Sequence, residues 1–144
     1  MTTLIVVPCG AAKRNERLEA RYLYAGAHFR YTLRRAETLA AGHDADVAIL
    51  SALHGLVDLD DELDPYDVTW GNRNAITPAV LGEQLTRRRP GRVVALTPKA
   101  YTEALQLGLL YTPRPAPELV TPLAGSRGIG EQRGRLARLS WAEL

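Results

Sequence analysis

Short apolar runs alternate along the chain with longer segments in which apolar residues recur at helical spacing. The apolar runs occupy positions 3–7, 46–50, 92–97 and 118–121. Such runs, rich in β-branched residues, are typical of strands that are covered on both faces of a parallel sheet. Helices are predicted at 27–41, 78–89 and 101–110, with a last helix near the end of the chain. This alternation predicts an α/β domain with a mainly parallel sheet of about four strands flanked by helices.

Several boundaries are marked by residues with special backbone preferences. Thr77-Pro78 is a helix-starting signal, and Gly42 is placed to end the preceding helix. The acidic stretch 56–67 is poor in helix formers, and we predict a loop there. Because a proline precedes Tyr66 and restrains the turn, Tyr66 and Asp67 are expected to hold fixed positions.

A glycine-rich segment at 122–133 leads into the last helix, which is predicted to carry Leu136 and Leu139 inward. Exposed amide groups at the start of a helix bind anions well, and Arg127 adds a positive charge there. The spacing matches neither the Walker pattern GxxxxGK[ST] nor GxGxxG. A nucleoside-triphosphatase or dinucleotide site is therefore poorly supported.

Length and composition indicate one domain over residues 1–144, with 46% hydrophobic and 24% charged residues. The lone Cys9 excludes an internal disulfide and a two-cysteine zinc site, so we expect a reducing, cytoplasmic setting. Residues 1–9 are far too short for a signal peptide or a membrane span. The net charge of +2 permits nucleic-acid binding but does not require it.

Polar and reactive residues follow each predicted strand. Cys9 follows the first, Ser51 and His54 follow the second, Thr97-Pro98-Lys99 closes the third, and Arg127 follows the fourth. Because parallel strands end at one edge of a sheet, these residues are expected to converge on one cleft. An enzyme or a ligand-binding protein is therefore favoured over a purely structural domain.

The residues restrict the chemistry of such a cleft. A Ser51–His54 nucleophile is disfavoured because the two residues are three apart on one turn and no GxSxG motif is present. A Cys9–His54 thiolate pair is possible but has no independent support. The histidines lack chelating spacing, although the acidic carboxylates of 58–67 could hold a hard cation. The remaining set, with an imidazole, a lysine, an arginine and a carboxylate, suits a phosphorylated sugar or a nucleoside.

Five short motifs occur in a fixed order along nearly the whole chain. They are Cys9-Gly10-x-x-Lys13, Ala20-Arg21-x-Leu23-Tyr24 with Phe29, Ile49-Leu50-Ser51-Ala52-x-His54-Gly55-Leu56-Val57, Pro65-Tyr66-Asp67, and Gly128-Ile129-Gly130-x-Gln132. The order resembles the bacterial and phage family catalogued as domain of unknown function 6884, which is distantly similar to the peroxide-stress protein YaaA. Tyr22 departs from the pattern, where an acidic or polar residue is expected. The resemblance implies association with nucleic acids or nucleobases and a glycosylase-like or base-modifying activity.

Together these observations favour an enzyme acting on a nucleoside, nucleotide or nucleic-acid base, through N-glycosidic cleavage, base exchange or base modification. His54 and Asp67 are the predicted catalytic residues. The predicted substrate-binding residues are Cys9, Gly10, Lys13, Ser51, Tyr66, Arg127, Gly128, Gly130 and Gln132. Tyr24 is expected to pack in the core, and neither a cofactor nor a metal is predicted.

Two other kinds of protein remain open. One is a non-catalytic nucleotide- or DNA-binding module, in which the arginine-rich helices at 30–35 and 133–138 contact the phosphate backbone. The other is a structural or regulatory partner protein. No membrane partner is expected, and the oligomeric state is not predicted.

Overall fold

The computed structural model describes residues 2–144. The strands are β1 (Thr3–Pro8), β2 (Leu18–Glu19), β3 (Ala45–Ser51), β4 (Gly55–Asp58), β5 (Glu62–Leu63), β6 (Arg92–Ala95) and β7 (Glu118–Val120). The helices are α1 (Ala20–Leu23), α2 (Ala27–Ala40), α3 (Pro78–Arg88), α4 (Lys99–Leu109) and α5 (Ile129–Arg138). A short 3-10 turn at Trp141–Glu143 follows α5.

Within residues 2–144 the main sheet has five strands in the order β4-β3-β1-β6-β7. β3, β1, β6 and β7 run parallel, and β4 pairs antiparallel with β3 at one edge. A separate ribbon pairs β2 with β5. The predicted α/β class with a mainly parallel sheet is therefore confirmed. The parallel strands all end on one side of the sheet, which we call the carboxyl edge.

Alternate side chains of the central strand enter different layers of the core. Ile5 and Val7 pack in a cluster with Leu33 of α2 and Leu136 of α5. Leu4 and Val6 pack in the other cluster, together with leucines of α3 and α4. Since successive strand residues point to opposite faces, a strand with helices on both faces must be apolar at every position. This explains the uninterrupted apolar run.

The predicted helix boundaries lie close to the observed ones. The Thr77 hydroxyl accepts a hydrogen bond from the Val80 amide at 3.3 Å, as the capping signal predicts. α4 begins two residues earlier than predicted, because Pro98 already serves as its N-cap. Leu136 is fully buried as expected, whereas Leu139 follows the end of α5 and is only partly buried.

The prediction of a loop over 56–67 is wrong at positions 56–58 and 62–63, which form strands. Leu56 and Val57 are buried in β4, which reverses directly after β3 with Ser51 opposite Gly55. Their apolar side chains complete the edge of the sheet, but the acidic residues that follow obscure so short a strand in the sequence. Further along, Glu62–Leu63 pairs with Leu18–Glu19. No helix among residues 2–144 is long and apolar enough to cross a membrane.

Candidate functional site

The carboxyl edge of the sheet gathers residues that are distant in sequence. The loop after β1 places Cys9 and Gly10 beside the end of β3, where the Cys9 amide donates to the Leu50 carbonyl at 3.2 Å. Gly10 has a φ of +75°, a conformation that favours glycine. Ser51 ends β3, and His54 lies in the tight reversal that follows it. The sequence therefore correctly predicted that strand ends would place these residues together.

A buried hydrogen-bond chain fixes this corner of the molecule. The Tyr66 hydroxyl lies 2.5 Å from Ser51 Oγ and 2.5 Å from the Tyr24 hydroxyl. Ser51 Oγ also accepts the amides of Leu53 and His54, at 3.2 and 3.1 Å. Since those amides occupy both lone pairs of the serine, its proton must be donated to Tyr66, whose own proton is then donated to Tyr24. Ser51 is therefore a structural hydrogen-bonding residue.

The tyrosines at this edge keep their protons at neutral pH. Burial raises the pKa of Tyr24 to about 12, although the hydrogen bond from Tyr66 opposes the shift. Burial also raises the pKa of Tyr66 and of Tyr101, and the nearby Cys9 thiol acts in the same direction. These phenols act as hydrogen-bond donors, not as bases.

A cavity of about 300 Å³, here called the aromatic cavity, opens at the carboxyl edge. Its lining comprises Cys9, Gly10, Ala11, Lys13, Asp67, Val68, Thr69, Trp70 and Tyr101. The rings of Trp70 and Tyr101 meet edge to face, with their centroids 5.4 Å apart. The Tyr101 hydroxyl lies 3.4 Å from Cys9 Sγ. The volume lies at the lower end of the range for small-molecule sites.

The charged groups of the aromatic cavity, Lys13 and Asp67, both neighbour Tyr66. Lys13 Nζ lies 4.4 Å from the centroid of the Tyr66 ring and donates to the Ala11 carbonyl at 3.1 Å. Asp67 directly follows Tyr66 and is exposed. Because Tyr66 is anchored by the buried chain, its contacts position both neighbouring charges. The structure thus brings together the predicted residues Cys9, Gly10, Lys13 and Asp67, with Ser51 and Tyr66 behind them.

His54 does not line the aromatic cavity. Its ring packs edge to face on Tyr66, with centroids 5.1 Å apart, and burial lowers its pKa. The Gln84 side chain holds the main chain here. Gln84 Oε1 accepts a hydrogen bond from the Leu56 amide at 2.8 Å, and Gln84 Nε2 donates one to the His54 carbonyl at 2.9 Å. His54 is therefore neutral at pH 7. It contacts Tyr66, which lies behind the aromatic cavity.

The remaining predicted residues lie elsewhere. Gln132 lines a different cavity of about 480 Å³, here called the loop cavity. The full lining of the loop cavity is Pro98, Lys99, Thr102, Glu103, Gln106, Thr121, Leu123, Ala124, Gly125, Ser126 and Gln132. Gly128 and Gly130 are exposed, and the exposed Arg127 pairs with Glu131 at 3.6 Å.

The expectation of one shared cleft is therefore wrong. The first turn of α4 stands between the cavities, with Tyr101 lining the aromatic cavity and Thr102 lining the loop cavity. Because side chains of consecutive helix residues point about 100° apart, the same helical turn can line two separate cavities.

The residues predicted for the site did not include Tyr101 or Trp70, although both line the aromatic cavity. The available signal for Tyr101 was an aromatic residue at the start of a predicted helix, three positions after Pro98. Among residues 2–144, no three histidine, cysteine or acidic side chains cluster closely enough to hold a metal ion.

The fold and the site together define an α/β protein with an aromatic-lined cavity at the carboxyl edge of its sheet. A protein-family profile described as "Family of unknown function (DUF6884)" matches residues 4–138. The chain belongs to this family. No curated protein matches it.

Removing the Tyr66 hydroxyl tests the buried chain. Tyr66→Phe is expected to lower the free energy of unfolding by about 1–3 kcal/mol, because it leaves the Ser51 proton without an acceptor. Urea unfolding measures the change, with Tyr111→Phe as a control because Tyr111 is exposed. Equal stability of the two variants would contradict the proposed chain.

Two half-buried imidazoles make stability depend on pH. Burial lowers the pKa of His28 and of His54 in the folded protein, so the unfolded chain binds more protons below its own pKa of about 6.5. Their contribution is complete above pH 6.5 and is lost as the pH falls from there through the folded pKa values. Urea unfolding at pH 7.5 and 5.5 should show a smaller loss in the double variant His28→Gln/His54→Gln. An unchanged loss would contradict this origin.

Proposed function

We propose that the protein is an enzyme that acts on a nucleoside, a nucleotide or a nucleic-acid base, through cleavage of the N-glycosidic bond or through exchange or modification of the base. The observation that carries the proposal is the lining of the aromatic cavity, where Trp70 and Tyr101 stand with the ammonium of Lys13 and the carboxylate of Asp67. Aromatic faces bind bases by stacking, and cations hold phosphates. A carboxylate stabilises positive charge that develops at a sugar carbon.

In this mechanism the base packs against Trp70 and Tyr101, and Lys13 binds the phosphate. The protonated Tyr101 hydroxyl can donate a hydrogen bond to the base. The Asp67 carboxylate accepts a proton from the water that adds to the sugar C1′. The C1′–N bond breaks as the C1′–O bond forms, and the bonding pair leaves with the base, which takes a proton from solvent. His54 remains a candidate acid–base residue whose imidazole contacts Tyr66.

We also propose a distant relationship to YaaA and a cellular setting for the protein. The block from Ile49 to Val57 and the motif Pro65-Tyr66-Asp67 support a distant similarity to YaaA and a bacterial or phage source. The lone Cys9, buried and free, supports a reducing cytoplasmic setting.

A thermal-shift screen over nucleobases, nucleosides, nucleotides and short DNA tests the proposal. A ligand that binds only the folded state raises the melting temperature, because it stabilises that state by RT ln(1 + [L]/Kd). We expect one of these classes to stabilise the wild type and Asp67→Asn alike, while only the wild type releases free base over time. Stabilisation of the wild type without release of free base would contradict the enzyme and favour the non-catalytic binding function described next. No stabilisation by any class would contradict both functions.

The second candidate function is non-catalytic binding of nucleic acid, which is favoured by an arginine-rich groove on α1 and α2. Arg21, Arg30 and Arg34 line it together with Tyr22, whose side chain is 59% exposed. Arg21 pairs with Glu37 at 3.3 Å, whereas Arg30 and Arg34 are exposed. Arginine contacts to phosphate release counterions, so binding through this groove must weaken with salt.

The double variant Arg30→Ser/Arg34→Ser tests this groove. If both arginines bind phosphates, the slope of log affinity against log salt should become shallower by about 0.9 for each phosphate that is no longer neutralised. Fluorescence anisotropy with labelled DNA over a salt series provides the measurement. Arg87→Ser on α3 is the matched control, because Arg87 is exposed and pairs only with Glu83, one helical turn away. A slope unchanged by the double variant would contradict binding through this groove.

A further inference from the structure

The loop cavity is walled by neutral hydrogen-bonding side chains. Thr102 and Gln106 enter from α4, and Ser126 and Gln132 enter from the loop before α5 and from α5 itself. The charged residues of the lining, Lys99 and Glu103, offset each other at 3.9 Å. A net charge on a ligand would therefore gain little here, and hydrogen bonding must supply the specificity.

The oxygen of the Gln132 side chain is buried on the side of His28. Arg133 Nε donates to His28 Nδ1 at 3.4 Å, and burial together with the charge of Arg133 lowers the His28 pKa, so the ring is neutral. With Nδ1 accepting, the proton must sit on Nε2. His28 Nε2 and Gln132 Oε1 are both buried, and neither makes a hydrogen bond within residues 2–144. Gln132 lies close enough to His28 to raise its pKa, which is the effect of an oxygen near the imidazole N–H. The carbonyl of Gln132 therefore faces His28.

This orientation determines what Gln132 offers the loop cavity. Because Oε1 is buried, the amide nitrogen is the polar end of Gln132 that remains for the cavity, and it is a donor only. On the same wall, Ser126 Oγ is buried with no hydrogen bond to any residue of 2–144. A ligand that engages it relieves the cost of an unpaired buried hydroxyl.

We propose that the loop cavity is a second ligand site, separate from the aromatic cavity. It takes a small uncharged molecule whose carbonyl accepts from the Gln132 amide and whose N–H or O–H groups pair with the surrounding hydroxyls. Carboxamides and the lactam edge of nucleobases have this chemistry. Its volume of about 480 Å³ accommodates a ligand of this size. His28 is a positioning residue for Gln132 and does not touch the ligand.

Titration of the ¹⁵N-labelled full chain with uracil, uridine and nicotinamide tests this site, with inorganic phosphate as the charged comparison. At least one neutral probe is expected to shift the Gln132 side-chain amide signals to saturation, and phosphate is expected to leave them unchanged. Gln132→Met should weaken that binding about 2- to 10-fold, because one hydrogen bond is removed. Ser126→Ala should also weaken it and lies in a surface loop where folding is not at risk. Unmoved amide signals with every neutral probe, or unchanged affinity in both variants, would overturn the proposal.

The role of His28 has its own test. His28→Phe removes the N–H group nearest to the buried Oε1 and should weaken binding of the same probe, whereas His28→Gln keeps a donor and should retain the binding. Equal affinity in the two variants would overturn the positioning role. Trp70→Phe alters the aromatic cavity, which shares no lining residue with the loop cavity, and should leave the Gln132 shifts intact. If nucleosides fail at the aromatic cavity while the Gln132 signals still saturate, the proposed function fails and the second site stands.

Discussion

Asp67→Asn is expected to lower turnover by at least about 10²-fold, the usual contribution of a positioned acid–base group. Asp67 is exposed at the mouth of the aromatic cavity and is outside the buried chain of Ser51, Tyr66 and Tyr24. Its replacement should therefore leave the free energy of unfolding within about 0.5 kcal/mol of the wild type, as is usual for surface positions. Single-turnover release of free base, from the substrate class that the thermal-shift screen finds, is the measurement.

A neighbouring carboxylate provides the matched control. Asp64 lies three residues earlier in the same loop, is exposed, and pairs with Arg17 at 3.1 Å outside the cavity. Asp64→Asn removes the same charge from the same loop and should retain full turnover. Full activity in Asp67→Asn, or an equal loss in Asp64→Asn, would remove Asp67 from the catalytic role.

Gly55→Ala is expected to lower the free energy of unfolding by about 2–4 kcal/mol. Gly55 has a φ of +74°, and an added Cβ would lie 2.2 Å from Gln84 Oε1 and 2.3 Å from Ile76 Cδ1. The left-handed conformation alone costs a non-glycine residue roughly 1–2 kcal/mol. Displacing Gln84 also breaks its hydrogen bonds to Leu56 and His54, which leaves buried backbone groups unpaired.

Gly71→Ala separates the two causes. Gly71 has a φ of +92°, but nothing lies within 4 Å of the position of its added Cβ. It should therefore show only the conformational cost of roughly 1–2 kcal/mol. Urea unfolding of both variants measures the difference, which reports the crowding against Gln84. Equal losses of stability would mean that the close packing of Gly55 on Gln84 contributes nothing to the fold.

The sequence was most informative where local pattern and tertiary structure agree. The apolar run of β1 and the capping signal at Thr77 predicted elements that the structure contains. The placement of Cys9 and Ser51 at strand ends also predicted that they meet at one edge. In each case a short window of sequence carries the physical cause, either burial on both faces or satisfaction of a free amide.

The rest depends on contacts between segments that are far apart in sequence. The buried hydrogen-bond chain joins Tyr24 to Tyr66, and the Cys9 thiol contacts the hydroxyl of Tyr101, 92 positions away in the sequence. No periodicity encodes such pairs. The sequence also could not predict that the carboxyl edge is divided into two cavities, because the division depends on where the first turn of α4 lies relative to the sheet. Only the side-chain directions of Tyr101 and Thr102 reveal it.

Tryptophan fluorescence tests the central claim, that the aromatic cavity binds a base, most directly. The chain has Trp70 in the cavity and Trp141, which stacks on His43 with centroids 4.0 Å apart and lies outside the cavity lining. In Trp141→Phe all tryptophan emission comes from Trp70, so titration with nucleosides and nucleotides should quench it to saturation. Trp70→Phe should abolish that saturable quenching. Saturable quenching that persists in Trp70→Phe, or none in Trp141→Phe with any nucleoside or nucleotide, would contradict the account.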